Sequence, residues 1–276
     1  MIHICYNVNG KIFRGLLMSA LSVAKHSSQP VYFHILSMDL PERDPGWVSL
    51  SDERLAIFRE AVGSAAPGSK VEQIDCRGYY EEYFAGGKNQ RSFYTPYAQL
   101  RLFLDLITPD GDPDKIIYLD ADTMCRRDIS ELWDVDISAY EFGASLDAAG
   151  RYWIDENYCN SGVMLINLRR IRKTGLFAET RRQVNRRTMF MPDQSALNDL
   201  AESKLVLPRR FNEQRAIRDD TVIKHFCRWL RFYPLWVKMF NYKQWQVDEV
   251  HKKLKIHDFD DVYDDIKELE KKYALE

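Results

Sequence analysis

The sequence has no surplus of either charge: 39 Lys and Arg stand against 41 Asp and Glu, a formal net charge of −2 over 276 residues. No global field therefore favours nucleic acid, and only a local cluster could carry such a role. It lacks an apolar run long enough to span a bilayer, and its start, M-I-H-I-C-Y-N-V-N-G, lacks the basic segment and apolar core of a leader peptide. The expectation is a soluble or peripheral protein that stays in the cytoplasm. Cysteine is sparse. Cys5, Cys76, Cys125, Cys159 and Cys227 are odd in number and show no C-x-x-C spacing, so they read as buried thiols in a reducing compartment rather than disulfides or zinc ligands. There is no internal repeat and no low-complexity tract.

What is there begins with alternation. Ile2 to Tyr6 reads as a strand, and Phe13, Leu16, Leu17, Ala20, Leu21 and Ala24 recur at helical spacing after a loop containing Asn7, Asn9 and Gly10. Val31 to Leu36 is a second strand, Glu53 to Val62 a helix and Val71 to Ile74 a third strand. Such alternation argues for a mostly parallel sheet with helices on both sides. Thr95-Pro96 opens a helix carrying Tyr97, Leu100, Leu104 and Ile107, and Asp128 with Glu131 reads as a capping box. Later strands are expected at Phe142–Ser145, Gly162–Asn167 and Val222–Phe226, with a basic helix from Leu168 to Arg187 that reads as a solvated face and a short helix from Asp193 to Ala201. A last helix, Asp260 to Tyr273, places Val262, Ile266, Leu269 and Tyr273 on one face and should pack on the domain or on a partner. The division expected is a main domain, 1–227, and a C-terminal extension, 228–276.

The chemistry centres on K-I-I-Y-L-D-A-D-T-M, Lys115 to Met124. The apolar run from Ile116 to Leu119 makes a buried strand that ends at Asp120 and Asp122. In extended backbone, residues two apart project to the same side, so the pair can share a cation at the carboxyl edge of the sheet. The same D-x-D spacing recurs at Asp110/Asp112, Asp112/Asp114, Asp134/Asp136 and Asp258/Asp260, where a solvated loop is the economical reading. Only Asp120/Asp122 follows an apolar strand. Two carboxylates make an incomplete cage, and His225, at the end of a strand, is the best further ligand, although a structural role stays open for it. A mixed carboxylate and imidazole set suits Mn²⁺ better than Ca²⁺. From Arg228 to Trp245 basic and aromatic residues interleave, which suits either a peripheral membrane contact or aromatics packed over the site.

Four segments carry a resemblance: Y-L-D-A-D-T-M-C-R-R-D-I-S-E-L-W from Tyr118, N-Y-C-N-S-G-V-M-L-I-N-L at Asn157–Leu168, P-D-Q-S-A-L-N at Pro192–Asn198, and H-F-C at His225–Cys227. In that order they resemble the family 8 glycosyltransferases, retaining enzymes that include bacterial lipopolysaccharide galactosyl- and glucosyltransferases and glycogenin. The resemblance covers roughly residues 1–245 and implies a Rossmann-like α/β nucleotide-diphospho-sugar transferase fold of type A. It also implies a UDP-sugar donor, a saccharide or lipid-linked glycan acceptor and a hexose as the group moved. Asp120, Asp122 and His225 match the family's manganese ligands, with Mg²⁺ as the alternative ion. Asp193 and Gln194 match catalytic positions, Gln194 on the reacting face of the anomeric carbon. Tyr6, Asn7, Asn9, Gln99, Ala121, Asp147, Asn160, Ser161, Arg228 and Lys243 make up the implied substrate-binding set.

The departures from the family pattern are specific. Asn7-Val8 replaces an acidic pair in the loop that holds uracil and ribose, and Gln99 stands where an arginine is common, with Arg101 near. The H-x-x-G becomes His225-Phe226-Cys227-Arg228, about a dozen residues before Lys243, so Arg228 or Arg231 is an alternative diphosphate contact. Because Gln194 is a poor nucleophile, the implied chemistry is same-face substitution rather than double displacement. Two other readings stay open: D-A-D-T also resembles the nucleophile loop of haloacid-dehalogenase-like phosphatases, and a sugar-nucleotide-binding relative without turnover would retain the same fold.

Overall fold

Each crossover helix returns the chain to the same end of the sheet, so successive strands in the first half lie parallel. A computed structural model describes residues 1–91, 95–233 and 236–275, without side-chain detail at 90, 91, 230–233 and 237. Strands β1 (Ile2–Asn7), β2 (Val31–Ser37) and β3 (Lys70–Asp75) are linked by the helices Phe13–His26 and Asp52–Ala65, with Ile4 opposite Phe33 and Phe33 opposite Val71. Strand β4 (Lys115–Leu119) then joins the other side of β1, placing Ile117 opposite Ile4. That reversal is a topological switch point, and ligands of open α/β sheets bind beyond the carboxyl ends of the strands flanking it.

Beyond β4 come β5 (Thr123–Cys125), β6 (Phe142–Leu146), β7 (Cys159–Asn167) and β8 (Lys204–Leu207). The main sheet has seven strands in the order β3-β2-β1-β4-β7-β6-β8, with β7 antiparallel to both β4 and β6 and the other pairs parallel. β5 leaves this sheet and pairs antiparallel with β9 (Ile223–His225), Thr123 opposite His225. All seven positions of β2 are buried, as a strand covered on both faces requires. On one face Leu17, Leu21, Phe58 and Val62 pack around Ile4, Phe33 and Leu119. On the other, Leu100, Phe103, Phe177 and Leu197 pack around Leu36, Ile116 and Tyr118.

The helix Asp260–Tyr273 packs on the domain. Val262, Tyr263 and Ile266 enter the core of β1 and β2, and Lys25 pairs with Asp265 at 2.7 Å. Val262 and Ile266 each contribute about 1.5–3 kcal/mol on burial. His251 and His257 stack at 4.4 Å, and His251 Nε2 lies 2.7 Å from Asp260 in the first turn of this helix, fixing its entry.

Local outcomes differ from the sequence pattern in three places. The basic stretch is two helices, Leu168–Thr174 and Leu176–Arg186, because Gly175 between them takes φ 75° and ends the first. The second of these buries Leu176, Phe177 and Val184, so only part of the stretch is a solvated face. The segment opened by Thr95-Pro96 winds as a 3-10 helix, Pro96–Phe103, with Leu104 N bonded to Arg101 O, and both Gln99 and Arg101 are buried. Asp128 accepts from Ser130 N at 2.9 Å, but Glu131 turns to Arg127 and Arg210, so only half of the capping box forms.

In the basic-aromatic stretch, β10 (Trp229–Tyr233) and β11 (Trp236–Phe240) pair as antiparallel strands. Trp229 stacks on Phe240 at 4.2 Å, while Trp236 and Met239 are more than half exposed. The side chain of Arg231 lies outside the described residues. Among the described residues no helix is long and apolar enough to cross a membrane.

Candidate active site

The two aspartates converge, but not by strand alternation. β4 ends at Leu119, and Asp120 begins a turn closed by Thr123 N on Asp120 O at 3.1 Å. The turn is fixed from several sides: Asp120 N donates to Gly162 O at 2.7 Å, Phe226 N to Asp122 O at 2.8 Å, and Gln244 Nε2 to Ala121 O at 2.6 Å. Pairing of β5 with β9 brings His225 beside it. His225 Nε2 lies 3.1 Å from Asp122 Oδ1 and 3.8 Å from Asp120 Oδ2, and one potential ligand atom from each of the three residues falls within 4.8 Å of the others. Gly162 leaves the space they occupy: a Cβ there would sit 2.2 Å from His225 Cε1 and 2.8 Å from Asp120 Oδ2.

Lys243 Nζ pairs with Asp122 and donates to Phe226 O at 3.1 Å. Burial alone would raise the Asp122 carboxyl, but Lys243 and His225 outweigh it and hold the group well below the ordinary carboxylate range. Burial would lower His225, yet Cys227 and the Asp122 carboxylate carry it well above the ordinary imidazole value. Lys243 is likewise raised, the Asp122 charge outweighing its burial.

A second group of polar side chains borders this one. Arg101, 3% exposed, lies 3.4 Å from Asp120 Oδ1 and 3.2 Å from Asp193 Oδ2, donates to Ser161 O, and rests on the Tyr118 ring at 3.9 Å. The contact to Asp193 Oδ2 lacks hydrogen-bond geometry, so that buried oxygen has no hydrogen-bond partner among the described residues. Burial raises the Asp193 carboxyl above its ordinary value, Arg101 opposing and Asp120 adding to the shift. Asp193 and Gln194 open the helix Pro192–Leu200, entered through Met191 at φ 49°, a conformation that strains a residue with a side chain. Gln194 Oε1 accepts from Ser161 N at 3.0 Å and Ser161 Oγ at 3.3 Å, and its Nε2 donates to Asp147 at 3.4 Å. Asp147 also accepts from Asn160 Nδ2 at 2.9 Å and from the backbone of Ala149 and Gly150.

Asp120, Asp122, His225, Asp147, Asn160, Ser161, Asp193, Gln194, Arg228 and Lys243 all line one cavity of about 660 Å³. Tyr6, Asn7, Asn9, Gln99 and Ala121 do not line it. Tyr6 is buried with its hydroxyl on Ser19, 2.9 Å away, and Asn9 caps the turn at Lys11 N. Asn7 Nδ2 reaches Ala98 O at 3.4 Å, one residue behind the cavity wall, and its Oδ1 has no described partner. Gln99 is buried on the inner side of its 3-10 helix, and Arg101, two residues on, is the residue that faces the carboxylates. Arg101 entered sequence reasoning only as an arginine near Gln99, and Asn212 and Gln214 received no role, since polar residues in irregular segments carry no periodic signal. Asn212 Oδ1 meets His225 Nδ1 at 3.0 Å, and Gln214 ties Ala148 N to Leu146 O.

Residues 3–228 match the sequence profile of glycosyl transferase family 8. A putative glycosyltransferase of Haemophilus influenzae is 28% identical over 242 residues, 77% of this chain and 67% of that protein. General stress protein A of Bacillus subtilis is 28% identical over 169 residues, and the match spans 50% of this chain and 59% of that relative's length. Among solved structures, the galactosyltransferase LgtC in complex with donor and acceptor sugar analogues superposes with a TM-score of 0.64 at 19% identity, covering 97% of this chain and 96% of LgtC. The bifunctional glycosyltransferase WbbM superposes at 0.68 and 16% identity over 99% of this chain and 52% of WbbM. The seven-stranded, mostly parallel sheet is the type A nucleotide-diphospho-sugar transferase fold of these structures, and the chain belongs to glycosyl transferase family 8.

Proposed function

We propose that the chain is a retaining hexosyltransferase that moves glucose or galactose from a UDP-sugar to a hydroxyl of a saccharide acceptor. The observation that carries this reading is the convergence of Asp120, Asp122, His225 and Lys243 in the cavity that also holds Asp193 and Gln194. Two carboxylates and one imidazole, in the space left by Gly162, fit a divalent cation, Mn²⁺ or alternatively Mg²⁺. Bound there, the ion would neutralise charge on the diphosphate as the sugar departs.

The chain's own residues account for the rest. Lys243 adds a positive charge beside Asp122 for the same diphosphate. Asp193 Oδ2, buried and without a hydrogen-bond partner among the described residues, is an acceptor for a donor sugar hydroxyl, and Arg101 holds that carboxylate in place. Gln194 Oε1 is engaged twice by Ser161, and Asp147 is committed to Asn160 and backbone amides, so neither offers a free nucleophile. With Asp193 assigned to a sugar hydroxyl rather than to attack, retention is read as substitution on one face: the anomeric C–O bond to the diphosphate breaks, the bond to the acceptor oxygen forms on the same side, and the acceptor proton passes to the departing phosphate.

The acceptor proposed belongs to lipopolysaccharide or another surface glycan, reached from the cytoplasm with residues 228–245 at the membrane. The half-exposed Trp236 and Met239 support that contact, and residues 228–276 complete the site through Lys243. Flotation with anionic liposomes tests it; absence of co-migration ends the membrane part. The function is tested by measuring Mn²⁺-dependent UDP release across UDP-glucose, UDP-galactose and their N-acetylated forms. Release from one of the hexose donors, abolished by Asp122→Ala in a folded protein, is expected; no release from any donor with either ion would overturn it. A Gln194→Ala variant that keeps most of its turnover would remove any essential role for that side chain.

A further inference from the structure

A second cavity, about 870 Å³, adjoins the first, and Arg215 and Trp229 line both. Arg215 Nη2 donates to Ala148 O at 3.2 Å, beside Asp147, which places its charge at the boundary between the two spaces. The wall of the second cavity carries five cationic side chains against two carboxylates. One of those carboxylates, Asp258, is already paired with Arg126 at 2.6 Å. Among the described residues Arg215, Arg218, Lys253 and Lys255 have no carboxylate within ion-pairing distance, and all four are exposed. Lys255 adopts φ 59°, a left-handed conformation in which glycine is the ordinary choice. Like charges gathered around one concavity repel one another, and an anion entering it relieves that repulsion. Cations contributed from two separate segments, 215–218 and 253–255, surround a group with several charged oxygens better than they fit a single carboxylate.

We propose that this second cavity is an acceptor-side anion subsite that takes a phosphate group carried by the acceptor saccharide, while the acceptor's reacting hydroxyl lies in the first cavity. The proposal rests on reading the first cavity as the sugar-transfer site. Trp229, stacked on Phe240 between the two cavities, gives the intervening sugar ring an apolar platform.

The test is calorimetric titration of the full chain, held with saturating UDP and Mn²⁺, with glucose 6-phosphate and with glucose. Glucose 6-phosphate is expected to bind at least tenfold more tightly than glucose, with an affinity that falls as salt rises. Arg218→Gln and Lys253→Gln are expected each to weaken it several-fold, and Arg218→Glu combined with Lys253→Glu to weaken it at least tenfold. Equal binding of glucose and glucose 6-phosphate, or affinity unchanged in the double variant with its circular dichroism intact, overturns the proposal. Binding of phosphatidylglycerol vesicles without binding of glucose 6-phosphate also overturns it, in favour of a lipid surface. Failure of wild type to bind UDP would instead overturn the donor reading, and the sugar-phosphate titration would still decide the subsite.

Discussion

Asn212 Oδ1 lies 3.0 Å from His225 Nδ1, and that contact decides which ring nitrogen faces the aspartates. A chain of hydrogen bonds fixes its sense. The Asp147 carboxylate only accepts, so Asn160 presents Nδ2 to it at 2.9 Å; Asn160 Oδ1 then accepts from Asn212 Nδ2 at 2.9 Å, which leaves Asn212 Oδ1 for His225. His225 Nδ1 therefore carries a hydrogen, and Nε2 is the nitrogen offered to a cation. Asn212→Leu should leave the fold in place and raise the Mn²⁺ dissociation constant about 10–100-fold, the usual consequence of losing such a partner. Counting free Mn²⁺ by electron paramagnetic resonance checks this, and unchanged affinity would show that the ring is oriented by other means.

Gly162 makes a sharper prediction. A methyl group there would lie 2.2 Å from His225 Cε1 and 2.8 Å from Asp120 Oδ2, both far inside van der Waals contact with buried or hydrogen-bonded side chains. Gly162→Ala should abolish cation binding and cost about 1–3 kcal/mol of stability through overpacking. Urea unfolding and metal titration read the two effects separately, and a variant that binds Mn²⁺ normally would refute the assigned cradle.

The alternating βα pattern, the buried strand before Asp120 and the outer placement of the last helix were legible because apolar periodicity reports which face is covered. The convergence of Asp120 and Asp122 was legible too, but for another reason than the one that operates: strand alternation predicts it, whereas the turn after Leu119 produces it. Arg101 was legible only as an arginine close to Gln99, not as the residue that faces the carboxylates. Its burial depends on 3-10 winding of Pro96–Phe103, and an i+3 helix differs from an α-helix in which residues it turns inward. Nor could Asn212 be found, since it acts from a loop through partners far away in sequence. Gly162 was visible only as a letter inside N-S-G; its meaning lies in the space beside it.

Lys243 competes with any cation for Asp122, because its ammonium already pairs with that carboxylate. Lys243→Met removes the competitor and also the charge proposed to contact the diphosphate. In the absence of nucleotide the variant should bind Mn²⁺ several-fold more tightly, while its KM for UDP-sugar should rise by about tenfold, equivalent to roughly 1.4 kcal/mol of lost binding. Opposite signs in the two assays are the signature. A loss in both would mean that Lys243 only holds the turn together.

Lys224 is the buried charge whose behaviour should be visible in pH-dependent stability. It is 2% exposed, its ammonium donates to the carbonyls of Glu213 at 3.1 Å and His225 at 2.9 Å, and burial lowers its pKa to about 8. In the unfolded chain it titrates near 10.5. Below pH 8 both states are charged and folding carries the full penalty of burying the ammonium, roughly 3 kcal/mol from the separation of the two values. Between pH 8 and about 10.5 the unfolded state binds more protons than the folded one, so this contribution to stability improves as pH rises. Lys224→Met has no such term. Its stability relative to wild type should therefore decline between pH 8 and pH 10, when both are unfolded in urea at matched pH. The comparison cancels the titration of every other group that behaves alike in the two proteins, and a difference that stays flat across that range would mean that Lys224 titrates normally despite its burial.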